Sequence, residues 1–190
     1  LVDETYRYLH FQTDLIPYYA AKSKNVISVC SLSKAHGVPG IRTGWLITKD
    51  EKLMHDFLAA KEQIIITNSV IDEEIALHIL SRENYLEKTH EHLRRNFSIL
   101  KDWMENEQQY LEWCEPKTGV VCFPRIKQEY NIDLPKFYKT LYEKHATLVG
   151  AGHWFEQNDR YFRLGFGYPV NEELSQCLKN IDASIEASIL

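Results

Sequence analysis

Two apolar, β-branched runs, residues 26–32 (VISVCSL) and 42–48 (RTGWLIT), are separated only by residues 33–41, which hold Gly37, Pro39 and Gly40. Parallel neighbours need a crossover of about a dozen residues or more, so this short turn imposes an antiparallel return at one edge of a sheet. The same turn carries the most chemically informative residues of the chain. Ser31-Leu32-Ser33-Lys34 is followed eight residues after the lysine by Arg42, with Gly37, Gly40 and Gly44 between and beside them. An amine able to form an imine and a fixed cation able to grip an anion suit a carbonyl cofactor that bears a phosphate.

Around this pair the pattern is mixed helix and strand. Residues 50–65 place Leu53, Phe57, Leu58 and Lys61 at helical spacing behind Asp50 and Glu51, acids that complement the positive end of a helix dipole. Thr67-Asn68-Ser69 breaks the pattern, and helical spacing resumes over 71–81 and over 83–107, the latter long enough to bridge two domains. Beyond Pro116 the expected elements are a strand over 119–126, an amphipathic helix over 134–145, an extended start at 148–150, a strand over 161–167 and a closing helix over 171–189 capped by Asn171. Trp103, Tyr110 and Trp113 are expected in the core of the later part.

Composition narrows the class of function. With 44% hydrophobic and 26% charged residues among 190, the chain can bury a core, and disorder is excluded. A net charge of −5 without any dense basic run argues against nucleic-acid and anionic-lipid partners. No apolar run reaches the ~18 residues of a membrane span, and a cytoplasmic location is expected. Cys30, Cys114, Cys122 and Cys177 show no C-x-x-C pairing, so they are expected as buried free thiols, with neither zinc site nor disulfide frame. His90 and His92 are two apart on a helix and face different ways, which argues against a metal site there. His36, in a turn, is expected to meet solvent, and Glu4 to be a local charge. The opening Leu1-Val2-Asp3-Glu4 reads as the end of a buried strand already in progress, so the chain is expected to be a piece of a longer protein.

Three separated segments, Asp3-Glu4-Thr5-Tyr6, Ser31-Leu32-Ser33-Lys34 through Gly44, and Tyr161-Phe162-Arg163-Leu164, carry a resemblance. In this order across nearly the whole chain they resemble the carboxyl-terminal half of class I/II aminotransferases, fold type I of the pyridoxal-phosphate enzymes. The resemblance implies an α/β fold: the last part of the cofactor-binding large domain (residues 1–84), then a small α+β domain with its linking helix (85–190). It implies pyridoxal 5'-phosphate as cofactor and Lys34 as the catalytic, imine-forming and proton-carrying amine. Asp3 would pair with the ring nitrogen and Tyr6 with the ring oxygen. Ser31, Ser33 and Arg42 would hold the phosphate, and Arg163 would clamp the α-carboxylate of the substrate. Thr43 departs from the small aliphatic residue usual there. His153, Trp154 and Phe155 follow a Gly-Ala-Gly turn where the family places substrate-side residues.

The implied activity is transfer of an amino group from an amino acid to a 2-oxo acid by a homodimeric enzyme, with this piece inactive alone. Two alternatives stand beside it: a β-eliminating lyase or decarboxylase that keeps the same residues, and a non-catalytic effector-binding domain of a transcriptional regulator.

Overall fold

The computed structural model describes residues 1–11 and 15–190, which divide into two compact units, Leu1–His90 and Glu91–Leu190. The division falls within the long helix that begins near residue 87.

In the first unit, β1 (Val2–Asp3) pairs parallel with β2 (Ile27–Ser31), and β2 pairs antiparallel with β3 (Gly44–Thr48). The register sets Asp3 beside Val29 and Ser31 beside Gly44. Glycine is required at 44, since a Cβ there would lie 2.7 Å from the Cys30 carbonyl oxygen. Helix α1 (Glu51–Ile64) is capped by Asp50, whose carboxylate accepts from the Leu53 N–H at 3.0 Å. Helix α2 (Val70–Leu80) is capped by Ser69, whose hydroxyl accepts from the Asp72 N–H at 3.3 Å. Both starts fall where acids and hydroxyls precede the apolar pattern. The interior of this unit is built from Leu9, Phe11, Ala20, Cys30, Leu32, Ala35, Ala76 and Ile79. No residue of α1 is buried.

Glu4, read from the sequence as a local charge, is instead a buried hub of this unit. Its carboxylate accepts from the Ser28 hydroxyl, from the Tyr19 N–H at 3.0 Å and from the Arg7 guanidinium, while its own N–H donates to the Val29 carbonyl at 2.8 Å. Burial works to raise its pKa, and the bonds from Ser28, Tyr19 and Arg7, with the arginine charge, outweigh burial and hold it below the ordinary carboxylate value.

The second unit is assembled on α3 (Glu87–Asp102), which continues as a π turn at Trp103–Glu107. Strand β4 (Leu111–Glu112) pairs with β6 (Arg125–Ile126), while β5 (Val121–Cys122), β8 (Phe162–Gly165) and β7 (Gly150–Ala151) form a three-stranded sheet in that order. The single strand expected over 119–126 is thus two strands in two sheets. Pro124 has no N–H to donate, so the ladder breaks there, and its carbonyl accepts from the Phe162 N–H at 3.0 Å. Helix α4 (Leu134–Lys139) follows the Asp133 cap and continues as a π turn, and α5 (Asn171–Glu186) closes the unit. Asn171 does not cap α5: the cap residue is Val170, whose N–H donates to the Glu173 carboxylate at 3.1 Å.

Periodic apolar positions of α3, α4 and α5 meet β6 and β8 in a closed core of Leu93, Leu100, Ile126, Phe137, Phe162, Phe166, Ile181 and Ile185, all without solvent exposure. Trp103 is buried and donates to Asp182 at 2.7 Å, while Tyr110 and Trp113 are only half-buried. Cys30 and Cys122 are buried as expected, Cys177 is half-buried, and Cys114 is exposed, against expectation. Among the described residues no helix is long and apolar enough to cross a membrane, and no group of three or more metal-ligating side chains is assembled.

Candidate active site

The residues singled out in the first unit gather around the end of β2. Lys34 is exposed one turn beyond Ser31, and its amine stands 5.9 Å from the centre of the Tyr6 ring. Tyr6 is itself 44% exposed, so the phenol ring and the amine both meet solvent. Ser31 ends β2, and its hydroxyl accepts from the Ser33 N–H at 3.3 Å. The glycine-rich turn then returns through Arg42, which adopts φ +50°, a left-handed backbone, and donates from its guanidinium to the Pro39 carbonyl at 2.9 Å. Pairing of Ser31 with Gly44 closes the turn and brings Arg42 and Thr43 back toward the strand end that carries Ser31 and Ser33. Thr43 takes part through its backbone, with its carbonyl accepting from the Leu32 N–H at 3.2 Å.

Asp3 ends β1 on the strand next to β2. One of its oxygens accepts from both the N–H (2.9 Å) and the hydroxyl of Thr5, and these bonds hold its pKa below the ordinary carboxylate value against a small opposing effect of burial. Asp3 is therefore an ionised carboxylate at neutral pH, as pairing with a protonated ring nitrogen demands. Asp3 at the end of β1, Ser31 at the end of β2 and Arg42 just before β3 stand at the same end of one three-stranded sheet, with Ser33 and Lys34 in the turn between; with Tyr6 they supply an amine, a phenol, a carboxylate, two hydroxyls and a guanidinium. This donor set fits a cofactor with a carbonyl, a basic ring nitrogen and a phosphate.

Arg163 belongs to the second unit. It is exposed on β8, opposite Gly150 of β7, with its guanidinium carbon 5.2 Å from the centre of the Phe155 ring. The aromatic face braces a forked cation that can take a carboxylate with two parallel bonds. Two glycines make this geometry possible: a Cβ at Gly150 would lie 2.9 Å from the Phe155 ring, and one at Gly152 would lie 2.1 Å from the Asn158 carbonyl oxygen. The intervening turn, Gly152–Phe155, also presents His153, whose ring nitrogen Nδ1 is 2.7 Å from Asp159, and an exposed Trp154. The pairing of His153 with Asp159 has no periodic signature, since the two meet through a turn of the chain.

His36 reverses its expectation: it is 7% exposed, packed edge-on to Tyr8 with ring centres 5.4 Å apart and stacked on Tyr85 at 5.9 Å. Burial pushes its pKa down, which keeps the imidazole neutral. The aromatic residues that enclose it come from distant parts of the chain, so no local motif announces the enclosure.

The chain belongs to the aminotransferase class I and II family, whose sequence profile matches residues 1–181. Its α/β fold is that of fold type I pyridoxal-phosphate-dependent aminotransferases. A pyridoxal-phosphate-dependent aminotransferase from Streptococcus suis superposes with a TM-score of 0.82 at 27% identity, over 99% of this chain and 48% of that one. Capreomycidine synthase of Streptomyces vinaceus is 28% identical over 167 residues, which are 84% of this chain and 42% of the relative. The HTH-type transcriptional regulator NorG of Staphylococcus aureus (strain N315) is 26% identical over 186 residues, 94% of this chain and 41% of the relative. The chain thus spans less than half the length of the relatives it matches.

Proposed function

We propose that this chain supplies the lysine-bearing and substrate-carboxylate-binding part of a pyridoxal-phosphate-dependent aminotransferase, a cytoplasmic homodimer that moves an amino group from an amino acid to a 2-oxo acid. The observation that carries this reading is the Lys34 amine set against the Tyr6 ring at the end of β2, within the segment that matches the family. The bound cofactor would supply an electron sink for the substrate α-carbon. Lys34 would hold the carbonyl covalently, give way to an incoming amine and then carry the proton to and from the α-carbon. Asp3, kept ionised by Thr5, would hold the ring nitrogen protonated, and the Tyr6 hydroxyl would donate to the ring oxygen. Ser31, Ser33 and Arg42 would take the phosphate, fixing one end of the ring so that the other end meets the amine. Arg163, braced by Phe155, would orient the substrate through its α-carboxylate. In this reading residues 1–84 complete the cofactor-binding large domain and 85–190 form the small domain.

The test is turnover by the full-length polypeptide loaded with pyridoxal phosphate, across a panel of amino donors and 2-oxo acceptors, beside Lys34→Ala. Removing an imine-forming nucleophile costs several orders of magnitude in rate, on the order of 10⁴-fold or more, so Lys34→Ala is expected to abolish amino transfer. Turnover that persists in Lys34→Ala sinks the proposal. Elimination or decarboxylation products in place of transamination would move the reading to a lyase that uses the same lysine.

A second reading is favoured by the match to the regulator NorG over nearly the whole chain: the same site would bind an effector without turnover. Cofactor fixed on Lys34 without release of any product, together with a DNA-binding module in the same polypeptide, would select it.

A further inference from the structure

Lys34 is exposed on a tight turn, in which the Gly37 N–H closes on the Lys34 carbonyl at 3.2 Å and Gly37 takes φ +70°. A long, exposed side chain on such a turn has many rotamers and a backbone free to rock, and neither suits an amine that must meet one carbon atom. The two residues after the lysine pin the turn. Ala35 and His36 are both buried, and the His36 ring is wedged between Tyr8 and Tyr85. The Tyr85 hydroxyl also donates to the His36 carbonyl at 3.0 Å, so the clamp holds both the side chain and the backbone at one residue.

The clamp itself is fixed. Tyr8 is bound at both ends: its hydroxyl lies 2.9 Å from that of Tyr18, which accepts from the Trp45 indole N–H at 3.0 Å, and its carbonyl lies 2.6 Å from the His90 ring nitrogen Nε2. The spacing matches across the gap. Tyr6 faces Lys34 and Tyr8 faces His36, residues two apart set against residues two apart.

We propose that His36 is a positioning residue: held between Tyr8 and Tyr85 and tied by its carbonyl to the Tyr85 hydroxyl, it sets the direction in which the turn presents the Lys34 amine. The inference rests on the reading of Lys34 as the imine-forming lysine. The His36 ring nitrogen Nδ1 is buried without a hydrogen-bond partner, so the imidazole acts here as a shaped aromatic wedge. A phenyl ring fills the same slot and removes the dry nitrogen, which makes His36→Phe the conservative variant.

The experiment uses the full-length polypeptide with pyridoxal phosphate and compares wild type, His36→Ala, His36→Phe and Tyr85→Phe, with circular dichroism confirming the fold. Two readouts separate positioning from general damage. The first is the pH midpoint at which the lysine-bound cofactor changes its absorbance. The second is the fraction of cofactor fixed on Lys34 after borohydride reduction, counted by peptide mass spectrometry. Misplacing a reacting group by about 1 Å costs up to ~100-fold; for His36→Ala we expect a loss of about tenfold in the fixed fraction at limiting cofactor, together with a shifted midpoint. His36→Phe is expected to restore both, and Tyr85→Phe, which removes only the bond to the carbonyl, to show a smaller shift in the same direction.

A folded His36→Ala with the wild-type midpoint and fixed fraction overturns the proposal, as does a His36→Phe no better than His36→Ala. Should His36→Ala fail to fold, Tyr85→Phe decides, and an unmoved midpoint there overturns it. The two levels stay distinct. Wild-type protein with no cofactor on Lys34 brings down the reading of the lysine and this inference with it, whereas Lys34 labelled equally in every variant brings down the inference alone.

Discussion

The two units use their apolar residues in opposite ways. In the second, α3, α4 and α5 turn their apolar stripes inward and Phe137, Phe162 and Phe166 end without exposure. In the first, Met54 and Leu58 of α1, Ile64, Ile65 and Ile66 at and beyond its end, and Val70, Ile71 and Leu77 of α2 are exposed. A groove of about 560 Å³ runs between β3 and α1, lined by Trp45, Leu46, Phe57, Leu58 and Ile64, with Arg42 and Lys61 at its polar margin. An apolar groove of this kind is unusual on the surface of an isolated domain. The contrast teaches where the stability of each unit comes from: the second rests on a closed core, the first on a smaller interior in which Ala20, Cys30, Ala35 and Ala76 stand beside Leu9, Phe11, Leu32 and Ile79, and on the buried polar hub of Glu4, Arg7 and Ser28.

The sharpest way to break this contrast is truncation in the closed core. Phe162→Ala removes a ring with no exposure, and truncations of this kind cost about 3–5 kcal/mol; denaturant unfolding followed by hydrogen exchange should show the loss within residues 91–190. A loss below about 1 kcal/mol would mean that the core is less closed than it looks.

The polar hub of the first unit gives a smaller, pH-dependent effect. The folded-state pKa of Glu4 lies below its unfolded value, so the stabilisation it gives is present above the ordinary carboxylate range and is lost as pH falls through the folded value. Exchange protection of β1 and β2 should therefore fall on acidification below about pH 4, and Glu4→Gln should be less stable at neutral pH and flatten that dependence. An unchanged acid limb in the variant would remove Glu4 from its role.

The smallest effect is expected on α1. Leu58 is 51% exposed, and Leu58→Ala should change the stability of the chain by no more than about 0.5 kcal/mol. A loss comparable with that of Phe162→Ala would show that the side chain is covered in solution.

How much of this was legible in the sequence depended on range. The antiparallel return of β2 and β3 was readable because the nine-residue turn between the two apolar runs leaves no other connection. Helix α1 was readable because Asp50 and Glu51 stand before its periodic apolar positions, and α2 because the break at Thr67-Asn68-Ser69 is followed by renewed helical spacing; that Ser69 caps α2 shows only in the fold. The run at 119–126 has strand composition throughout, and only the missing N–H of Pro124 divides it. Asn171 has the chemistry of a cap, but the chain enters the helix one residue earlier and Glu173 supplies the acceptor. Strand β4, two residues long, is too short for any periodicity.

The candidate site divides along the same line. Lys34, Ser31 and Arg42 were found as a local motif, and the family match covers the segment that holds them. His36 and Glu4 were misjudged because their burial depends on partners far along the chain, Tyr85 for one and Ser28 for the other. Local spacing carries the chemistry, and distant packing decides which of the neighbouring side chains stay in water.

The left-handed backbone of Arg42 has a consequence for any attempt to make this protein more rugged. A residue with a β-carbon at φ +50° stores on the order of 1 kcal/mol that glycine would release. Selection for heat resistance alone would therefore drift away from arginine at position 42. Were Arg42 to hold the cofactor phosphate as proposed, its persistence under combined selection for heat resistance and cofactor capture would measure what the guanidinium contributes against that strain.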